Sequence, residues 1–161
     1  MIKIIDGDLL ESGADIICHQ VNCQGKMNSG VAKAVREKYP EVFEEYIKAF
    51  TQVPEFSSLL GHAQGVVVDG HKRIIFNLFA QDNYGYDGKQ YTDIQALRNC
   101  FEDVHNTVNT LEGMNHNEML RIAMPYKIGC VRGGANWNEV YAIIEEVFSD
   151  CNVELWKLDK G

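Results

Sequence analysis

The chain has no excess of basic residues, no long apolar run and no CxxC pair. Each absence removes a class of function. Lys and Arg number 15 against 23 Asp and Glu, for a net charge of −8 and a pI near 5.1. Such a surface repels a polyanion, so nucleic acid is not expected as a partner. No stretch approaches the roughly 18 uninterrupted apolar residues of a spanning helix. The opening Met1-Ile2-Lys3-Ile4-Ile5-Asp6 is too short and too soon charged for a secretory signal. A cytoplasmic monomer with no membrane partner is therefore expected. The five cysteines, Cys18, Cys23, Cys100, Cys130 and Cys151, are odd in number and scattered, as reduced thiols are inside cells. Their spacing supports neither a disulfide framework nor a zinc site, and no metal or cofactor is expected. The glycine-bearing stretches hold no GxGxxG and no GK[ST], which excludes a Rossmann fingerprint and a P-loop.

What remains is the composition of an ordinary globular protein: 161 residues, 45% hydrophobic and 24% charged. The length suits one domain over 1–161. Ile2 to Ile5 reads as a strand, and 15–21 as a second, β-branched and short enough to be buried on both faces. Helical spacing follows from Val31, is divided by Pro40, and resumes through Val42, Phe43, Tyr46, Ile47 and Phe50. Residues 51–64 read as loop. Residues 65–68 and 73–80 make two strands around the turn Asp69-Gly70. Thr92-Asp93-Ile94-Gln95 reads as a capping box opening a helix to about Leu111. A strand over 119–124, a helix opened by Asn136 and a closing strand over 153–158 complete the order. About six strands and four helices, mostly alternating, imply an α/β fold of three layers, with a mixed sheet between helices.

In open sheets of this kind, ligands gather beyond the carboxyl ends of the strands. Three polar, glycine-bearing loops leave strand ends here, over 22–30, 81–91 and 125–135. The third, Ile128-Gly129-Cys130-Val131-Arg132-Gly133-Gly134-Ala135-Asn136, runs straight into a helix, and its glycines allow the close backbone approach that cradling a diphosphate needs. Read alone, it is also an ordinary tight turn.

Three motifs together are more specific. Gly7-Asp8-Leu9 follows the first strand, His19-Gln20-Val21-Asn22-Cys23-Gln24-Gly25 precedes Ser29-Gly30-Val31-Ala32, and Met124-Pro125 precedes the 128–137 segment. In this order, over nearly the whole chain, they resemble the macrodomain family. The resemblance implies a macrodomain-like α/β/α fold and an ADP-ribose pocket. Asp8 would bond the adenine, with the Leu9 backbone beside it. Val21, Asn22, Gly25, Ser29, Gly30 and Val31 would line the distal ribose side. Pro125, Ile128, Gly129, Cys130, Val131, Arg132, Gly133, Gly134 and Asn136 would wrap the diphosphate. Trp156 would lie near the adenine, or else serves as a core or edge tryptophan.

The chain is similar to the compact branch holding the terminal ADP-ribose glycohydrolase and the yeast ADP-ribose-1″-phosphate phosphatase. The lysine and aspartate used for glycohydrolysis in that branch are replaced here by Gln81 and a glycine of 131–134. The phosphatase resemblance rests on His19, which would act as general acid or nucleophile toward a phosphomonoester, with Asn22 orienting and Asp82 or Asp87 as carboxylate partner. The alternative for His19 is a strand residue satisfied by backbone. His62, His71, His105 and His116 lack partners at catalytic spacing, and Cys23 and Cys130 read as small buried thiols. The expected function is hydrolysis of the terminal phosphate of ADP-ribose 1″-phosphate or of an ADP-ribosyl linkage. A non-catalytic reader or scavenger of ADP-ribose is the alternative, and an ADP-ribosylated protein is a further partner.

Overall fold

The structure is a computed structural model that describes residues 1–114 and 118–158; His116 lies outside the described residues. Its six strands are β1 (Ile2–Asp6), β2 (Ile16–Asn22), β3 (Ala63–Val68), β4 (Arg73–Gln81), β5 (Arg121–Pro125) and β6 (Asn152–Lys157). Its four α-helices are α1 (Gly30–Lys38), α2 (Pro40–Ala49), α3 (Ile94–Met114) and α4 (Trp137–Val147). The region 51–64, expected as loop, holds parts of two 3-10 turns, Phe50–Gln52 and Phe56–Leu59. Strand and helix ends shift from the sequence expectation by up to three residues, within the range over which ends fray.

The sheet order is β1-β6-β5-β2-β4-β3, parallel throughout except for the β3–β4 hairpin. That hairpin turns through the four residues 69–72, of which Asp69, Gly70 and His71 are left-handed, at φ 53°, 63° and 71°. Parallel strands need both faces covered, and β2 shows how. Ile16 and Cys18 join Leu97, Phe101 and Ile144 of α3 and α4 in one core, whereas Ile17 joins Val35, Tyr39 and Val42 of α1 and α2 on the other face. A third cluster, Val21, Met27, Tyr46 and Phe79, sits under the first loop. This is the three-layer α/β/α arrangement with a mixed sheet that the alternation implied. Pro40 occupies the first turn of α2, where its missing N–H costs nothing.

The topology also dictates where a cleft forms. From β2 the chain crosses to β4 by way of α1, α2 and β3; from β5 it crosses the opposite way to β6 by way of α4. β2 and β5 are neighbours. Their outgoing loops therefore part, which opens a crevice at their carboxyl ends.

Candidate functional site

A cavity of about 310 Å³ lies at that divergence, floored by the ends of β2, β4 and β5 and walled by the three loops. The structure brings Val21, Asn22, Ser29, Gly30 and Val31 to one side of it. Pro125, Ile128, Gly129, Val131, Arg132 and Gly133 form the other. Gln81, standing at the end of β4, also lines it. The charged side chains of the lining, Lys26, Lys127 and Arg132, are all cations, and no carboxylate or imidazole lines the cavity among the described residues. On a chain of net charge −8, this is a local inversion of the surface potential, which draws an anion to the cleft.

Asn22 organises the first loop. Its Oδ1 accepts from the backbone N–H groups of Gln24 at 3.0 Å and Lys26 at 3.3 Å, and its Nδ2 donates to the Lys26 carbonyl at 3.0 Å. The buried Tyr46 hydroxyl lies 2.7 Å from the Asn22 carbonyl and 2.8 Å from Oδ1. The carboxamide oxygen is thus consumed by the protein, and one Nδ2 hydrogen remains for a ligand. The second loop reaches across: the Tyr86 hydroxyl is 3.3 Å from Ser29 Oγ, and the Arg132 guanidinium lies over the Tyr86 ring, 4.8 Å from its centroid. Three loops far apart in sequence thereby meet over the cavity.

Several expected site residues are placed elsewhere. His19 is fully buried, facing the α1–α2 layer, with Nε2 2.5 Å from Asn77 Oδ1. Asn77 Nδ2 passes the chain on to Gln64 Oε1 at 3.0 Å. Burial pushes the His19 pKa down to about 4, against the opposing hydrogen bond from Asn77. This corrects the reading of His19 as acid or nucleophile: the ring is neutral, its Nε2 is held by a side chain rather than by backbone, its Nδ1 is buried without a partner, and it does not line the cavity. Asp82 is exposed and outside the lining; its backbone carbonyl accepts from Cys23 N and Gln24 Nε2. Asp87 is held by Tyr91 and the Lys89 backbone, which lower its carboxyl pKa, and it too lies outside the lining.

Asp8 and Leu9 also lie outside the cavity, at the end of β1, separated from β5 by β6. Asp8 Oδ1 accepts from Leu10 N, capping a short 3-10 turn, while Leu9 is buried on the α1 side. Trp156 is half-buried and packs against the cluster of Leu9 and Val35. Its ring covers Gly7, whose φ of 150° and 2.8 Å gap to the indole from a would-be Cβ admit no side chain, and its Nε1 donates to Glu154. Gly25 packs under Ile47, Gly134 turns against the Lys89 carbonyl, and Asn136 caps α4 by accepting from Glu139 N. Cys130 Sγ is directed to the Ile128 carbonyl, and burial raises its pKa, as burial also raises Cys23 to about 12. Neither thiol is an activated nucleophile.

The lining includes residues that lie in the motif and loops the sequence singled out but were not themselves named as site residues: Gln20, Tyr84, Gly85, Tyr86, Tyr126 and Lys127. The aromatic flanks of Gly85 and the position just after Met124-Pro125 were the available signals. Outside the cleft, one metal-like trio occurs among the described residues, His105, Asp150 and Cys151, with ligand atoms within 4.8 Å. It lies just before β6, at the amino end of the parallel strands and so at the opposite end of the sheet from the cleft, and His105 and Asp150 pair directly at 2.8 Å. His105 therefore has a carboxylate partner that its spacing in sequence did not suggest. No described helix is long and apolar enough to cross a membrane.

Comparison with known proteins gives concordant results. The chain is 24% identical over 158 residues to a DNA ADP-ribosyl glycohydrolase of Thermus aquaticus, covering 97% of this chain and 40% of the relative. The chain thus spans about two fifths of that relative's length. A shorter segment of 47 residues is 47% identical to the ADP-ribose 1″-phosphate phosphatase of Neosartorya fischeri, covering 28% of this chain and 23% of that one. Among solved structures, a Bacteroides thetaiotaomicron protein of unknown function superposes with a TM-score of 0.79 at 27% identity, over 98% of each chain. The family model for the Macro domain matches residues 18–144, which span β2 through most of α4 and hold all three cleft loops. The chain belongs to the macro domain family.

Proposed function

We propose that the chain binds ADP-ribose in this cleft, with the diphosphate against the backbone of 128–133 and the distal ribose toward Asn22 and residues 26–31. The observation that carries the reading is the lining itself: Lys26, Lys127 and Arg132 with no carboxylate, on a protein of net charge −8. A dianionic diphosphate is attracted there, and backbone N–H groups of a glycine-rich turn supply donors without side-chain bulk. Membership of the macro domain family, and relatives named for ADP-ribosyl substrates, make ADP-ribose the anion of choice. A free ADP-ribose species and an ADP-ribosylated protein both present this group.

A second reading is hydrolysis, of the terminal phosphate of ADP-ribose 1″-phosphate or of an ADP-ribosyl linkage, as the names of the relatives suggest. For it the cleft offers Asn22 to orient the ribose, but the described lining holds no imidazole or carboxylate to carry a proton. Proton transfer by a positioned side chain ordinarily supplies about 10²–10⁴-fold of rate. The geometry therefore favours a reader or scavenger over an efficient enzyme. Calorimetric titration with ADP-ribose, with AMP and NAD as controls, tests the binding reading: micromolar affinity preferring ADP-ribose supports it, and no heat from ADP-ribose refutes it. Phosphate release from ADP-ribose 1″-phosphate above a protein-free blank would establish the second reading.

A further inference from the structure

Behind the glycine-rich loop lies a row of uncharged side chains, Thr92, Gln20 and Gln81, joined to one another by hydrogen bonds. Thr92 is 3% exposed and sits just before α3, bridged to Gln81 of β4. Its Oγ1 donates to the Gly129 carbonyl at 2.7 Å. Having donated its only hydrogen, it must accept, and it does so from Gln20 Nε2 at 2.7 Å. The second hydrogen of that amide goes to Gln81 Oε1 at 2.7 Å, and Gln81 Nε2 donates on to the Asn83 carbonyl at 2.8 Å. The direction of every bond follows from the two backbone carbonyls at the ends, so both amides have one orientation.

The backbone beside Thr92 adds to the hold. Tyr91 N and Thr92 N both donate to the Gly133 carbonyl, at 2.7 and 3.0 Å. The loop is thus gripped near both ends, at Gly129 and at Gly133, by one segment. The fit is close enough that a Cβ on Gly133 would stand 2.0 Å from Thr92 Oγ1, and one on Gly129 would stand 3.0 Å from Gln20 Oε1. A loop that is to present several N–H groups to one anion must be fixed before the ligand arrives, or its ordering cost is subtracted from affinity.

We infer that Thr92, relayed through Gln20 to Gln81, is a positioning residue that pre-forms the glycine-rich loop as a diphosphate cradle. The inference rests on the ADP-ribose reading above and assigns Thr92, which does not line the cavity, no contact with the ligand. It also gives the amide at position 81 an occupation, as the far anchor of the relay and not as a proton carrier.

The test compares wild-type protein with Thr92→Val, which keeps the shape and removes the hydroxyl, and Thr92→Ser, which restores it. Calorimetry with ADP-ribose, ADP and AMP separates a cradle from general damage. Thr92→Val is expected to weaken ADP-ribose and ADP by roughly tenfold, the size of one lost hydrogen bond with its partner left unpaired, with AMP changed less than about twofold. Thr92→Ser is expected within about threefold of wild type. Hydrogen exchange of the amides over 129–134 gives a readout without ligand: Thr92→Val speeds it there and leaves β6 unchanged. Equal affinities for wild type and Thr92→Val, an equal loss for AMP, or unaltered exchange over 129–134 would overturn the inference. Should wild type give no heat with ADP-ribose, the functional reading fails, and the exchange data alone then decide whether the clamp exists. If Thr92→Val does not fold, Gln20→Met interrupts the same relay from its other side and, because Gln20 also lines the cavity, is judged on hydrogen exchange over 129–134: faster exchange there supports the inference and unaltered exchange overturns it.

Discussion

Replacing His19 by Gln should remove a pH-dependent part of the stability and leave the cleft intact. The folded protein holds the ring neutral, with Nε2 bonded to Asn77 Oδ1 and with Nδ1 buried and unpartnered. Protonation would place a second N–H in that unpartnered position, which is why burial dominates and pushes the pKa from 6.5 to about 4. The unfolded chain takes up the proton near pH 6.5, so between there and about pH 4 it binds more protons than the folded chain, and stability rises with pH. The contribution is fully present above the unfolded value and is lost as pH falls toward the folded one. From pH 7 to pH 5 this amounts to about 2 kcal/mol, within a total of about 3 kcal/mol. Gln keeps a donor for Asn77 and does not titrate. Urea denaturation of both proteins at the two pH values measures the difference, since all other groups contribute alike. A loss on acidification as steep in His19→Gln as in wild type would refute the assignment. The same variant should bind ADP-ribose as wild type does at pH 7.5, because the ring does not line the cavity.

Three further outcomes are expected. Gly133→Ala places a methyl 2.0 Å from Thr92 Oγ1 and 2.5 Å from the Gly129 carbonyl, so the loop must open. It should cost about 1–3 kcal/mol in thermal or urea unfolding, with a loss of ADP-ribose affinity measured by calorimetry. Gly113→Ala, near the end of α3 with open space around it, should instead stabilise by about 0.5 kcal/mol in the same unfolding assay. Glu154 receives Arg121 Nε at 2.7 Å, Arg121 Nη2 at 2.8 Å and Trp156 Nε1 at 2.9 Å, and the guanidinium holds its carboxyl below the usual range. Glu154→Gln should destabilise by about 2 kcal/mol at pH 7. The difference from wild type should shrink as pH falls through the lowered carboxyl pKa, where wild type loses the same charge.

What the sequence made legible was what is decided locally. The strands and helices followed from period, and the opening of α4 from Asn136 three residues before Glu139, a cap that the structure contains. The order of elements and the three loop positions then implied the cleft, because topology alone makes the loops of β2 and β5 diverge. The α3 opening shows where local reasoning stops. Thr92 and Asp93 are both able caps, and the spacing to Gln95 favours Thr92. The structure uses Asp93, whose Oδ1 accepts from Ala96 N at 2.9 Å. What decides between them is the Gly129 carbonyl, 37 positions further on, which claims the Thr92 hydroxyl. His19 is the same case on a strand. A run buried on both faces has no polar alternation to say which way a residue points, and the partner that fixes its role, Asn77, is 58 residues away.

The two errors share a cause and point to one physical rule for this cleft. Its motif residues with reactive side chains face inward: His19 to Asn77, Asn22 largely to its own loop, Cys130 to Ile128. The polar groups of the lining are glycine backbone, amides, the Ser29 hydroxyl, tyrosines and three cations, set among apolar side chains such as Val21, Val31 and Ile128. A site meant to move protons holds titratable groups at the reacting atoms, with pKa values shifted toward the working pH. Here the shifts run the other way, burial carrying His19 down to about 4 and Cys23 up to about 12. Both groups are held neutral, so among the described residues charge enters the lining through Lys26, Lys127 and Arg132, which attract and orient an anion.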